Sequence, residues 1–246
     1  MPLDLHALLT AKVADLNNRL AEAPAEDVLR AALDLGDTAL VSSFGADSVV
    51  LLHLAAQVDP AVPVIFLETG MLFPETLAYQ REVAETLGLT DVRIVRPDPT
   101  DLFLHDPEGD LNGRDPDLCC TIRKVRPLEL ALQGLDAWIT GRKRVQGGDR
   151  TDLPLFEVEG GRIKANPLAR WSGGDLAAHM EAHDLPRHPL VAQGFPSIGC
   201  APCTTKVAPG EDPRAGRWRG REKTECGIHF AGGVVVRPDG TLANRG

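Results

Sequence analysis

Aromatic residues are scarce in this 246-residue chain, at 4%, with a single tyrosine. Long apolar runs are missing too. No stretch approaches the about 18 residues that a membrane span requires, and the strongest candidate, at 49–52, is interrupted by His53. The opening Met1-Pro2-Leu3-Asp4 lacks the basic and apolar regions of a secretory signal. A cytoplasmic protein with no membrane partner is therefore expected. Positive charge is in deficit, with 26 Lys and Arg against 35 Asp and Glu and a net charge of −9. That deficit excludes a general nucleic-acid binder, so no nucleic-acid partner is expected. There is no internal repeat and no low-complexity segment, which excludes solenoids and fibres. Hydrophobic residues at 43% and charged residues at 25% fit an ordinary globular protein with its own core.

The charge is unevenly spread. Residues 1–118 carry 7 Lys and Arg against 21 Asp and Glu, whereas residues 119–246 carry 19 against 14. The basic half can hold a small anion locally. The five cysteines, Cys119, Cys120, Cys200, Cys203 and Cys226, are an odd number, which argues against a disulfide framework. Two close pairs and one single residue read as four ligands and one free thiol.

Hydrophobic periodicity sets the expected elements. Leu5, Leu8, Leu9, Val13, Leu16 and Leu20 predict a helix over 3–20, and a second is expected over 25–35. Strands at 38–44, 62–67, 92–95 and 137–140 alternate with helices at 47–57, 74–87 and 121–133. Such alternation predicts an open, mostly parallel α/β sheet with helices on both faces. Residues 97–117, rich in Asp, Pro and Gly, read as a loop. Segments 155–158 and 162–165 flank Gly160-Gly161 and predict a hairpin, and 175–183 a short helix. Beyond residue 186 the pattern becomes irregular. The expected organisation is an N-terminal helical segment (1–37), a nucleotide-binding α/β unit (38–185) and a ligand-ordered C-terminal tail (186–246), in one structural domain.

Four motifs can carry chemistry. Ser42-Ser43-Phe44-Gly45-Ala46-Asp47-Ser48 joins a predicted strand to a predicted helix. Helix N-termini favour anions, and ligands bind outside the carboxyl ends of parallel strands. The same residues would equally make an ordinary βα turn with Asp47 or Ser48 as N-cap. The motif is not a Walker A loop, because no Gly-Lys-Ser/Thr follows. Cys119-Cys120 with Cys200-x-x-Cys203 suits zinc or an iron–sulfur cluster. Two adjacent cysteines crowd a single tetrahedral ion but can each take one iron corner of a cubane, which favours [4Fe–4S]. Glu225-Cys226-Gly227-Ile228-His229 follows Arg214, Arg217, Arg219, Arg221 and Lys223, a setting for an activated thiolate or for a free cysteine on a solvated basic tail. Arg142-Lys143-Arg144 follows the strand at 137–140, where a phosphate or sulfate contact would fall. The histidines show no ligand spacing, and His179 and His183 read as surface residues on a helix.

Taken together, these motifs resemble the assimilatory adenylyl-sulfate reductases, the APS/PAPS reductase family. The similarity also runs through Glu68-Thr69-Gly70-Met71-Leu72-Phe73-Pro74-Glu75-Thr76, Cys119 to Leu128, Thr140 to Arg144, and Pro209 to Trp218. The resemblance implies an adenine-nucleotide α-hydrolase-like fold. It implies reduction of adenosine 5′-phosphosulfate (APS) to sulfite and AMP through a cysteine S-sulfonate, in assimilatory sulfate reduction. Thioredoxin or glutaredoxin is the implied electron donor. By the same resemblance Cys226 is the nucleophile and Cys119, Cys120, Cys200 and Cys203 hold a [4Fe–4S] cluster. Lys124, Arg214, Arg217 and His229 are expected to face the sulfate. The nucleotide is expected at Ser42, Ser43, Phe44, Gly45, Asp47, Ser48, Glu68, Thr69 and Gly70, with Arg142 and Arg144. Two departures stand out: Glu68 where the family commonly has Asp, and Gln146-Gly147-Gly148-Asp149 before Arg150. The alternatives are a reductase of the 3′-phosphorylated substrate (PAPS), an adenylating tRNA thiolase of the same sheet type, and a non-enzymatic metal-binding protein. A homo-oligomer is left open.

Overall fold

The computed structural model of the chain describes residues 4–146, 150–221, 223, 235–236 and 242–243. Helices α1 (Leu5–Arg19) and α2 (Ala25–Leu33) lead into strand β1 (Thr38–Ser42), helix α3 (Ser48–Val58), strand β2 (Val64–Leu67), helix α4 (Pro74–Thr86) and strand β3 (Val92–Val95). Three short helices follow: α5 (Pro99–His105), α6 (Leu111–Arg114) and α7 (Pro116–Cys120). A π-helical turn at Thr121–Val125 joins α7 to α8 (Arg126–Ala131). Strand β4 (Ala137–Thr140), the hairpin β5 (Phe156–Glu159) and β6 (Arg162–Ala165), and helix α9 (Gly173–Ala182) complete the main body. A two-residue antiparallel pair, β7 (Val235–Val236) and β8 (Leu242–Ala243), lies near the C-terminus.

The six main strands run in the order β3-β2-β1-β4-β6-β5, parallel except for β5. This is the expected sheet. Its central strands alternate side chains between two cores. Leu40, Val64, Phe66 and Ile139 pack with α1, α2, α3, α4 and α9. Ala39, Ile65, Leu67 and Trp138 pack against Leu128 of α8 and the following Leu132. Burial on both faces explains why β2 and β4 are continuous apolar runs, VIFL and AWIT up to its last residue. The edge strand β5 is closed off by α1: the Asn17 amide donates to the Phe156 carbonyl at 2.8 Å and accepts from its N–H at 3.0 Å. Such capping satisfies an exposed strand edge. Among the described residues no helix is long and apolar enough to cross a membrane.

The segment 97–117 corrects the expectation of a loop. Its Asp and Pro residues are helix-start chemistry. Asp98 caps α5 through the N–H groups of Thr100 and Asp101, Asp115 caps α7 through those of Asp117 and Leu118, and a proline follows each cap. The helix expected over 121–133 instead begins at Pro116 and ends at Ala131. The strand expected at 38–44 ends at Ser42, because Phe44 turns to φ +47°.

The histidines also depart from expectation. His53 on α3 meets His179 and His183 at the end of α9, and their ligand nitrogens all lie within 4.8 Å of one another. Burial, then the neighbouring imidazoles, lowers the proton affinity of His53. His188 is buried: it accepts the Leu190 N–H at Nδ1, so its Nε2–H faces the Thr76 hydroxyl at 3.0 Å. Burial pushes its pKa down to about 4. The neutral ring ties the irregular C-terminal region to α4. Because the folded pKa lies below the unfolded value of about 6.5, this contribution is complete above that pH and is lost as pH falls toward 4. Urea titrations of wild type and His188→Gln should therefore diverge at pH 7 and converge toward pH 4, with the wild type losing up to about 3 kcal/mol over that range through this group. Parallel pH curves for the two proteins would contradict this role.

Candidate active site

The strand order turns about the β1–β4 pair, and ligands of open α/β sheets bind at such a switch point. A cavity of about 440 Å³ opens there, lined by the loop after β1, the residues after β4, and the irregular segment 196–218. In the loop after β1, the Ser48 hydroxyl accepts the Gly45 N–H at 3.0 Å, and the Ser42 hydroxyl accepts the Phe44 N–H at 3.1 Å. Ser42, Ser43, Gly45, Asp47 and Ser48 line the cavity. A Cβ on Gly45 would lie 3.3 Å from the Ser43 hydroxyl and 3.5 Å from the Ile198 carbonyl, so the loop approaches the opposite wall closely. Phe44 departs from expectation. Its side chain is fully buried and packs edge-on against Phe66, with ring centroids 5.2 Å apart, so it anchors the loop from behind.

The cations after β4 divide by side. Arg142 pairs with Glu157 at 2.8 Å, and Arg144 donates from Nε to the Leu153 carbonyl. Between them, Lys143 is buried in the cavity wall and pairs with Asp47 at 3.3 Å. Arg142 and Lys143 both line the cavity, while Arg144 opens a short 3₁₀ turn and lies outside the wall. Sequence reasoning proposed Arg142 and Arg144 as phosphate contacts; Arg144 is not part of the wall, and Arg142 lines it with one guanidinium nitrogen committed to Glu157. Burial lowers the proton affinity of Lys143, opposed by Asp47 and reinforced by Arg150 and Arg214. Lys124, Lys143, Arg150, Arg214 and Arg217 thus share one cavity with the carboxylates Asp47 and Asp212. The excess of cations suits a polyanion. A Cβ on Gly199 would sit 2.3 Å from the Arg217 guanidinium, so a larger residue there would push the end of that side chain aside.

The four cysteines at 119, 120, 200 and 203 are buried free thiols lining one small cavity, together with Met71, Arg123 and Lys124. Local structure brings them there from 80 residues apart in sequence. The Ala201 N–H donates to the Met71 carbonyl at 2.8 Å, Thr69 places its hydroxyl 3.3 Å from Cys200 Sγ, and the Trp218 N–H donates to the Cys203 carbonyl at 3.0 Å. Arg123 binds the other half. Its guanidinium donates to the Thr69 carbonyl at 2.8 Å and pairs with the fully buried Asp106 carboxylate at 2.6 Å. Gly70, at φ +73°, would place a Cβ 3.3 Å from that guanidinium. Glu68 lies outside the cavity wall. It caps the Gly70 N–H at 2.7 Å and pairs with Arg96 at 3.0 Å. Cys226 and His229 lie outside the described residues, as does Gly147.

Burial pushes the Cys119 thiol up to about 11, with Cys200 and Cys203 adding to the shift and Arg123 opposing it. Cys203 is raised for the same first reason. Four desolvated thiols can ionise together only beside a strong cation centre. Four thiolates suit zinc or an iron–sulfur cluster. Lys124 and Cys200 line both this cavity and the large one, so the two sites share a wall.

The family profile described as the phosphoadenosine phosphosulfate reductase domain matches residues 37–206. The chain is 50% identical over 231 residues to an adenosine 5′-phosphosulfate reductase of Chelativorans sp. (strain BNC1), covering 94% of each chain. It is 42% identical to the enzyme of that name from Streptomyces coelicolor, covering 90% of this chain and 94% of that one. Among solved structures, the phosphoadenylyl-sulfate (PAPS) reductase of Candida auris, in a phosphate complex, superposes with a TM-score of 0.68. It is 28% identical, and the match covers 79% of this chain and 96% of that one. The FMN adenylyltransferase of Candida glabrata, 15% identical with a TM-score of 0.54 over 83% of this chain and 69% of that one, shares the fold alone.

The buried Arg123–Asp106 pair is expected to hold the cysteine-bearing helix in place. Burial alone would raise the Asp106 pKa; the Arg123 guanidinium and the Leu111 N–H outweigh it and hold the carboxyl below the usual range. Asp106→Ala should cost about 3–5 kcal/mol at pH 7, because it strands a buried guanidinium. Urea unfolding measures this. The gap from wild type should narrow as pH falls below about 3.9 and the wild-type carboxyl protonates. A loss under about 1 kcal/mol would show that the pair does not hold the helix.

Proposed function

The chain belongs to the phosphoadenosine phosphosulfate reductase domain family, and on that premise we propose that it reduces adenosine 5′-phosphosulfate to sulfite and AMP through a covalent intermediate on Cys226. The cation-lined cavity at the β1–β4 switch point carries this reading. The names of relatives at 42–50% identity support adenosine 5′-phosphosulfate as substrate.

The adenylyl end lies by the Ser42–Ser48 loop and the N-terminus of α3, where backbone N–H groups favour an anion. The phosphosulfate lies among Lys124, Lys143, Arg150, Arg214 and Arg217. Sulfate sulfur is a poor electrophile wrapped in negative charge, and these cations stabilise the charge that gathers on the leaving AMP. The Cys226 thiolate attacks sulfur, a sulfur–sulfur bond forms, and the bond from sulfur to the phosphate bridging oxygen breaks. AMP leaves and Cys226 carries an S-sulfonate. His229 stands beside the sulfate in this reading, on the Glu225-Cys226-Gly227-Ile228-His229 motif.

A thiolate of thioredoxin or glutaredoxin then attacks the Cys226 sulfur and displaces sulfite. The donor's second thiol, or a second thiol molecule, resolves the mixed disulfide and restores Cys226. The dithiol supplies both electrons and leaves as a disulfide. Cys119, Cys120, Cys200 and Cys203 would hold a [4Fe–4S] cluster. When bound, that group would supply a fixed charge centre in the cavity whose wall is shared with the substrate site. Lys124, in the shared wall, places its ammonium charge at the substrate side of that cavity. A cytoplasmic setting, where thiols stay reduced, belongs to the same proposal.

Anaerobic incubation with the substrate and no thiol donor should add one sulfonate mass to Cys226. The 3′-phosphorylated analogue should add none; an adduct with that analogue alone would overturn the substrate. Cys226→Ser should abolish turnover while leaving iron content and AMP binding unchanged; loss of iron would mean Cys226 is a ligand. Lys124→Ala should slow sulfonate formation about 100-fold or more and weaken AMP binding far less. Equal effects on both would remove Lys124 from the sulfate.

A further inference from the structure

Two helices of the cavity wall also carry donor side chains that the reaction above does not use. Ser48 and Leu51 of α3, and Gly173 and Leu176 of α9, line the substrate cavity. His53 lies two residues beyond Leu51, and His179 three residues beyond Leu176. His183 follows at the C-cap of α9, four residues on and so on the same helix face. None of the three histidines lines the cavity.

Their arrangement is that of ligands. One ring nitrogen from each lies within 4.8 Å of the other two. His53 Nδ1 is 3.0 Å from His179 Nε2. Tetrahedral zinc with bonds of about 2.0–2.1 Å to nitrogen needs donors about 3.4 Å apart, so small ring rotations bring the trio to one ion. The Gln57 side-chain amide lies 3.3 Å from the second nitrogen of His53; with that amide turned so that its oxygen accepts the Nε2–H, Nδ1 keeps its lone pair for a metal. His179 is steadied by Trp171, edge-on at 5.4 Å. His53 and His179 are half-buried and His183 is exposed, which leaves an entry path and a coordination position for water.

We propose that His53, His179 and His183 bind one borderline-soft divalent transition-metal ion of the zinc type and thereby staple α3 to α9. The donor set is all imidazole, which suits zinc, copper or nickel and not magnesium or calcium. The site is separate from the four-thiol cavity and joins two helices that frame the nucleotide loop. Its occupation stiffens that wall without touching the reacting atoms.

The test uses anaerobically purified, cluster-loaded protein with Cys226 alkylated, so that free thiols do not compete. Equilibrium dialysis against zinc, followed by metal analysis, should give one zinc per chain in addition to the iron. His183→Gln, at an exposed position that leaves the fold intact, should weaken zinc binding at least tenfold. His179→Gln with His183→Gln should weaken it at least 100-fold. His6→Gln, outside the cluster, should bind as wild type. Zinc should raise the thermal midpoint of the wild type and not of the double variant. Zinc binding unchanged in His183→Gln, equal losses in His6→Gln, or no zinc retained by the wild type at 100-fold molar excess would each overturn the site.

Discussion

The Arg123 guanidinium lies buried where three segments of chain meet, and the whole site hangs on its two bonds. One reaches the Asp106 carboxylate at 2.6 Å and the other the Thr69 carbonyl at 2.8 Å. Thr69 and Met71, in the loop after β2, in turn position Cys200 and Ala201. A single buried cation thus links the helix carrying Cys119 and Cys120 to the segment carrying Cys200 and Cys203. Removing a partner from such a pair leaves a charge without water or counterion, which is why it tolerates little change. Convergence of the four thiols follows from this clamp together with the backbone contacts of 201 and 218.

The π-helical turn at Thr121–Val125 matters for the same reason. An extra residue in a turn shifts the side chains that follow it relative to a regular helix, and such turns recur at functional sites. Here Arg123 and Lys124, adjacent in sequence, serve different partners. Arg123 points into the clamp, and Lys124 reaches the wall shared by the thiol cavity and the substrate cavity. Electrostatics at that wall oppose the balance of the whole chain, which carries a net charge of −9. Cations are gathered in one desolvated place, where fields are strong, while most carboxylates stay on the surface.

Much of this was legible from the residues alone. Alternating apolar runs fixed the sheet class, because parallel strands buried on both faces must be continuous and apolar. The cysteine pairs and the Ser42–Ser48 loop stood out as motifs, whereas Lys124, Arg214 and Arg217 were singled out for the sulfate only through the family resemblance. Three readings went astray for physical reasons. Asp and Pro in 97–117 looked like loop formers, yet the same residues cap and start short helices. Arg142 and Arg144 looked like anion contacts because of their position after β4; Arg142 lines the cavity beside Lys143, but Arg144 opens a 3₁₀ turn and donates to the Leu153 carbonyl instead. Phe44 sits in the nucleotide loop and points away from it into the core.

The sequence by itself determined the strand–helix alternation and the close cysteine pairs, since each depends on neighbours within a few residues. Tertiary structure alone decided which cations enter the cavity, that Arg123 is committed to Asp106, and that His53 meets His179 and His183 across 126 residues of chain. Those outcomes depend on which faces of separate elements come to oppose one another when the two cores close. Long-range packing sets that geometry, and it leaves no periodic mark on the sequence.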